Sequence, residues 1–175
     1  GNGMRGTPSG FKDLDNKLSG FQPSDLIILA ARPSVGKTSL ALDFARNAAV
    51  KHNIPVAIFS LEMSKEQLVD RMLSAQSQVD SWKLRTAKLS LDEEFQRLQQ
   101  GMHELMKAPI YVDDKAANTI LNMRSTLRRL NSDRPIGLII VDYLQLMGTS
   151  RQYDNMVNQV TEISRSLKGL AKEFN

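Results

Sequence analysis

Asp25-Leu26-Ile27-Ile28-Leu29-Ala30-Ala31-Arg32-Pro33-Ser34-Val35-Gly36-Lys37-Thr38-Ser39 changes character twice within a short span. An apolar run of strand type gives way to a turn rich in Pro, Ser and Gly. The turn leads into Leu40, Ala41, Phe44, Ala45 and Ala48, which recur at helical spacing. Strand, glycine-bearing loop and helix in that order form the setting in which a phosphate-binding loop works. The free N–H groups of the loop and of the helix's first turn converge on a phosphate, with the helix dipole behind them. Lys37 is then the cation for the β- and γ-phosphates, and the Thr38 hydroxyl is a ligand for Mg2+. Ala31 stands where the pattern G-x-x-x-x-G-K-[ST] begins with Gly, a small departure if φ there is negative. Gly36-Lys37-Thr38 alone would also fit an ordinary surface loop. Between a strand and a helix it predicts binding of a nucleoside triphosphate.

The rest of the composition is compatible with that and narrows it. The chain has 175 residues, 41% of them hydrophobic, enough for one domain with a core of its own. It contains no cysteine, so disulfides, thiol catalysis and thiolate metal sites are excluded. His52 and His103 lie far apart in unrelated contexts and predict no histidine metal site. No apolar run approaches the length of a membrane span and no signal peptide precedes the first strand, which predicts a cytoplasmic protein without a membrane partner. A net charge of +4 allows a polyanionic partner without requiring one.

Strand and helix patterns alternate along the chain. Residues 1–10 are rich in Gly and Ser and read as a linker, and residues 11–175 as the domain. The helix that follows the phosphate loop is expected over 38–51, with Asn53 and Pro55 marking entry to a strand at 56–60. Ser64 and Gln67 have capping-box spacing and open a helix with Leu68, Val69, Met72 and Leu73 as its apolar face. Ser90 and Glu93 repeat the signal before Phe95, Leu98, Met102, Leu105 and Met106. A short strand at 110–112 precedes a helix from Asn118 carrying Ile120, Met123, Leu127 and Leu130. Residues 137–142 form an apolar strand, and Val160, Ile163, Leu167, Leu170 and Phe174 repeat at helical spacing. Trp82 and the methionines read as packing residues. Such alternation predicts a doubly wound α/β fold, a mostly parallel sheet flanked by helices.

Two acids stand where strands end. Leu138 to Val141 deliver Asp142 to the carboxyl edge of the sheet, where ligands bind in open α/β folds. There it reads as the acid that holds Mg2+ through water, or as a capping residue. Glu62 follows the strand at 56–60. From its spacing it stands equally as a base for the attacking water and as an acid favoured by a helix N-terminus.

Ser9 to Asp15, Gly20-Phe21, Leu26 to Thr38, Ser60-Leu61-Glu62-Met63-Ser64, Arg71 to Ser74, Val141 to Leu146 and Ile163 to Lys168 together resemble the C-terminal motor domain of DnaB-type replicative helicases. The resemblance runs through nearly the whole chain, and Ala31 is the family's usual residue at its position. It implies a RecA-like P-loop NTPase using ATP and Mg2+. Matched by position, Ser34, Val35, Gly36, Lys37, Thr38, Ser39 and Arg71 bind the nucleotide, Glu62 and Lys37 are catalytic, and Thr38 and Asp142 serve the metal. Arg71 can also be read as a surface charge beside Asp70. The resemblance further implies a homohexameric ring translocating on single-stranded DNA, with primase and a helicase loader as partners. A RecA-like ATPase acting as recombinase or regulatory switch, without unwinding, is the alternative.

The family places a channel-facing loop after the strand that ends in Asp142. That makes Arg151 a candidate for a phosphate and Tyr153 one for stacking on a base, although an ordinary surface loop would look the same. Arg124, Arg128 and Arg129 form a basic helix face, read as solvated or as a subunit contact. The resemblance also implies a further strand beyond Asn175, lying between the phosphate-loop strand and the Asp142 strand. The domain is thus expected to be C-terminally incomplete, with unpaired backbone on both of those strands.

Overall fold

The computed structural model describes residues 25–29, 35–60, 63–86, 92–115 and 118–142, with single helical positions at 158, 162 and 165. Four strands, β1 (Asp25–Leu29), β2 (Val56–Ser60), β3 (Ile110–Asp113) and β4 (Leu138–Asp142), form one parallel sheet in the order β1-β4-β2-β3. The helices are α1 (Val35–Arg46), α2 (Lys65–Ser77), α3 (Ser81–Thr86), α4 (Asp92–Lys107) and α5 (Ile120–Asp133).

The two inner strands are buried on both faces. Every residue of β2 is at most 1% exposed, and Leu138 to Val141 of β4 at most 2%. A continuous apolar run is what a parallel strand needs when both its faces are covered. Side chains alternate along each strand. Val56 and Ile58 of β2, with Leu138 and Ile140 of β4, share one cluster with Ala41, Phe44 and Ala45 of α1 and Leu68 and Met72 of α2. Ala57, Phe59, Ile139 and Val141 are buried on the opposite face, and Met123 and Leu127 of α5 are buried outside that cluster.

The expected gap between β1 and β4 is absent. The two strands pair directly, from Asp25 opposite Leu138 to Leu29 opposite Asp142. The ladder groups expected to be orphaned satisfy one another across this seam, as buried backbone requires.

Several element boundaries differ from the pattern reading. The first helix starts at Val35 rather than 38, and its last turn, Asn47–Lys51, widens into a π-helix. Asn53 leaves it at φ 54°, a left-handed conformation that Asn tolerates better than most residues. The capping box of α2 is formed as expected: Ser64 Oγ accepts from Gln67 N at 3.1 Å, and Gln67 Oε1 accepts from Ser64 N at 2.9 Å. For α4, Ser90 lies outside the described residues. The cap of α5 is Thr119, not Asn118; its Oγ1 accepts from Asn122 N at 3.2 Å.

The apolar stripe foreseen for α4 faces largely outward, with Phe95 51%, Met102 46% and Met106 82% exposed. The buried stripe is instead Glu94 and Gly101, with Leu105 packed against the core. A Cβ added at Gly101 would stand 3.0 Å from Ser77 Cβ, so glycine lets α4 come close to α2. Buried Glu94 accepts from Lys83 Nζ of α3 at 2.9 and 3.1 Å. Met72 and Met123 pack in the interior as expected, whereas Trp82 is 49% exposed with Lys83 Nζ 5.8 Å from its ring centroid. The helical repeat from Val160 to Phe174 lies outside the described residues apart from positions 162 and 165.

Candidate functional site

Register brings three separate pieces of sequence to one edge of the sheet. Asp142, the last residue of β4, stands opposite Leu29 of β1 on one side and Ser60 of β2 on the other. The chain leaving β1 runs into α1, and the chain leaving β2 runs through Leu61 and Glu62 into α2. The phosphate-loop helix, the strand-end acid and the segment that carries the second acid thus arise from three adjacent strand ends. This is the carboxyl edge, where a crevice for ligands forms in parallel α/β sheets.

Val35, Gly36, Lys37, Thr38 and Ser39 form the first turn of α1. The first amides of a helix have no partner inside it, so this turn offers N–H donors together with the positive end of the dipole. The first turn of α1 contains no acidic residue, as is also true of α3 and α5, whereas those of α4 and α2 contain Asp92, Glu93 and Glu94, and Glu66. Thr38 is buried, at 4%, and Ser39 is exposed. By residue type, the hydroxyl of Thr38 and the carboxylate of Asp142 are hard oxygen donors of the kind Mg2+ takes.

Arg71 lies on α2, half-buried, six residues beyond its start, or about 9 Å along the axis. It makes no ion pair with another described residue, Asp70 included. Arg124, Arg128 and Arg129 of α5 are exposed, as a solvated face requires. Ser34, Glu62, Arg151 and Tyr153 lie outside the described residues.

Residues 6–175 match the family described as the DnaB-like helicase C terminal domain. The chain belongs to that family. It is 51% identical over 172 residues to the replicative DNA helicase DnaB of Geobacillus stearothermophilus, covering 98% of this chain and 38% of that relative. Among solved structures, an ATPase domain superposes with a TM-score of 0.76 at 31% identity, over 99% of this chain and 62% of that one. A DnaB-like replicative helicase, described with its interactions with primase, superposes with a TM-score of 0.73 at 27% identity, over 99% and 42%. The fold of this DnaB-like domain is accordingly the RecA-like ATPase fold, a parallel sheet flanked by helices. Among its described residues no helix is long and apolar enough to cross a membrane.

Sequence reading missed a polar network that links α1, α2 and α4 of this domain. Arg46, at the end of α1, binds Asp43 at 2.7 Å and donates to Gln76 Oε1 of α2 at 2.9 Å. Gln76 in turn donates to Glu104 of α4, which also accepts from Gln100 at 2.9 Å. These residues are spaced across three helices, and no local pattern links them. It also missed the bond from Lys65 N to Asp114 Oδ2 at 2.8 Å, which joins α2 to the end of β3.

Proposed function

We propose that this chain is part of the ATP-hydrolysing motor of a replicative DNA helicase, with residues 11–175 belonging to its RecA-like ATPase domain and residues 1–10 as a linker. The observation that carries this reading is the register of Leu29, Asp142 and Ser60, which sets the phosphate-loop helix and both acid-bearing segments around one edge. Membership of the DnaB-like family supports it.

In this reading Ser34 to Ser39 cradle the phosphates of ATP, largely through backbone N–H groups, and Lys37 adds a charge-assisted contact. Thr38 and Asp142 would hold Mg2+, which when bound would neutralise charge on the phosphates. Glu62 orients the attacking water and accepts its proton. Arg71 brings positive charge from α2 toward the phosphates. Little else is needed, because phosphoryl transfer is accelerated mainly by positioning and electrostatics.

The whole protein then works as a homohexameric ring on single-stranded DNA in the cytoplasm. Primase and a loader are its partners, and Arg151 and Tyr153 contact the strand. The test uses the full-length protein. ATP hydrolysis stimulated by single-stranded DNA, together with displacement of a strand from a forked duplex, is expected of the wild type. Glu62→Gln should keep nucleotide binding and lose both activities. Stimulated hydrolysis without displacement would turn the reading toward a recombinase or switch. Turnover by Glu62→Gln at the wild-type rate would remove Glu62 as the base.

A further inference from the structure

The chain between β2 and α2 is held at both ends. Ser60 is 1% exposed, and its Oγ accepts from Met63 N at 3.1 Å. Ser64 and Gln67 close their capping box at the other end. These bonds are local and depend on little beyond the sequence 60–67. A further bond crosses the fold: Lys65 N, the first amide of α2, donates to Asp114 Oδ2 at 2.8 Å.

Sheet register supplies Asp114. Asp113 ends β3 opposite Phe59 of β2, and is 5% exposed. Its Oδ1 accepts from Lys115 N at 3.0 Å, folding the chain back just beyond the strand. The next carboxylate, that of Asp114, meets the N-terminus of α2. A charged acceptor at a helix N-terminus makes a charge-assisted bond and is favoured by the dipole. Local caps define where α2 begins; the Asp114 bond ties that beginning to the sheet.

We infer that Asp114 is a positioning residue, anchoring the first turn of α2 to the end of β3 and thereby setting the place of the β2–α2 connection that contains Glu62. The inference rests on the reading of Glu62 as the base. A base must lie within hydrogen-bond reach of the proton it takes, and a displacement of 1 Å at a reacting group can cost about a hundredfold in rate. Removing the anchor leaves the helix capped by Ser64 and Gln67 but lets the connection shift against the sheet.

The test compares Asp114→Ala, Asp114→Asn, Glu62→Gln and the Asp114→Ala/Glu62→Gln double variant in the full-length protein. Steady-state ATP hydrolysis and equilibrium binding of a fluorescent ATP analogue are measured on each. Asp114→Ala is expected to lower kcat about tenfold with Kd changed by less than about twofold, a split that marks positioning rather than binding. Asp114→Asn, whose amide oxygen still accepts from Lys65 N, should recover most of the rate. In the Glu62→Gln background, Asp114→Ala should change residual turnover by less than about twofold, since both act through one step. Full activity of Asp114→Ala beside an inactive Glu62→Gln would overturn this inference alone. So would matched losses of rate and binding that Asp114→Asn does not restore. A fully active Glu62→Gln would overturn the base assignment and this inference with it.

Discussion

Lys37 and Thr38 are neighbours in the first turn of α1, yet the fold serves them differently. Thr38 is buried, and a short β-branched side chain has few rotamers to choose among. Lysine is a flexible point charge that can follow a phosphate. Lys37→Ala is therefore expected to weaken ATP binding by about 1.5–3 kcal/mol, the usual range for a hydrogen bond to a charged group, or about ten- to a hundredfold in Kd. Calorimetric titration of the full-length variant with ATP checks this, and an unchanged Kd would take Lys37 off the phosphates. At this scale the sequence was informative because the spacing Gly36-Lys37-Thr38 reflects a local backbone geometry. It was uninformative about Arg46, Gln76 and Asp114, whose partners lie on other elements.

Element α4 shows where pattern reading fails. Helical periodicity correctly groups Phe95, Met102 and Met106 on one face, but periodicity alone does not say which face meets the protein. α4 lies close to α2 at Gly101 and Ser77, and the Phe95 face is exposed. The entry to β4 is controlled by a similar close approach. Gly137 N donates to Pro55 O at 2.8 Å, and a Cβ on Gly137 would overlap Ile54 Cγ2. Gly137→Ala is expected to destabilise the domain by about 1–3 kcal/mol through overpacking, less the few tenths to 1 kcal/mol, roughly, gained by restricting the unfolded chain. Adding Ile54→Leu, which lacks the Cγ2 branch, should recover part of the loss. Chemical denaturation of the single and double variants measures both effects, and a neutral Gly137→Ala would show that Ile54 moves aside freely.

The whole molecule is a sheet whose order, β1-β4-β2-β3, joins segments far apart in sequence. Its proposed work on DNA is also a property of the whole. A phosphate contact contributes to binding through counterion release and carries no base preference. Arg151→Ala in the full-length protein should weaken single-strand binding about equally across sequences. It should also reduce the slope of log K against log salt by roughly one phosphate's worth. Fluorescence anisotropy over a salt series provides the slope, and an unchanged slope would place Arg151 off the DNA path.

Sequence alone was sufficient for whatever depends on neighbours along the chain. The strand before Lys37 and the helix that contains it, the capping box of Ser64 and Gln67, and the apolar run before Asp142 are all of this kind. Backbone geometry, caps and burial on two faces leave their mark within a few residues. It was also sufficient for the α/β class, since alternating periods leave few other ways to bury both element types. Tertiary structure alone decided the rest: the direct pairing of β1 with β4, the outward face of α4, and the reach of Asp114 to Lys65. Each depends on which surfaces meet across the fold, and that choice is made by close approach and backbone hydrogen bonding between residues with no fixed spacing in the chain.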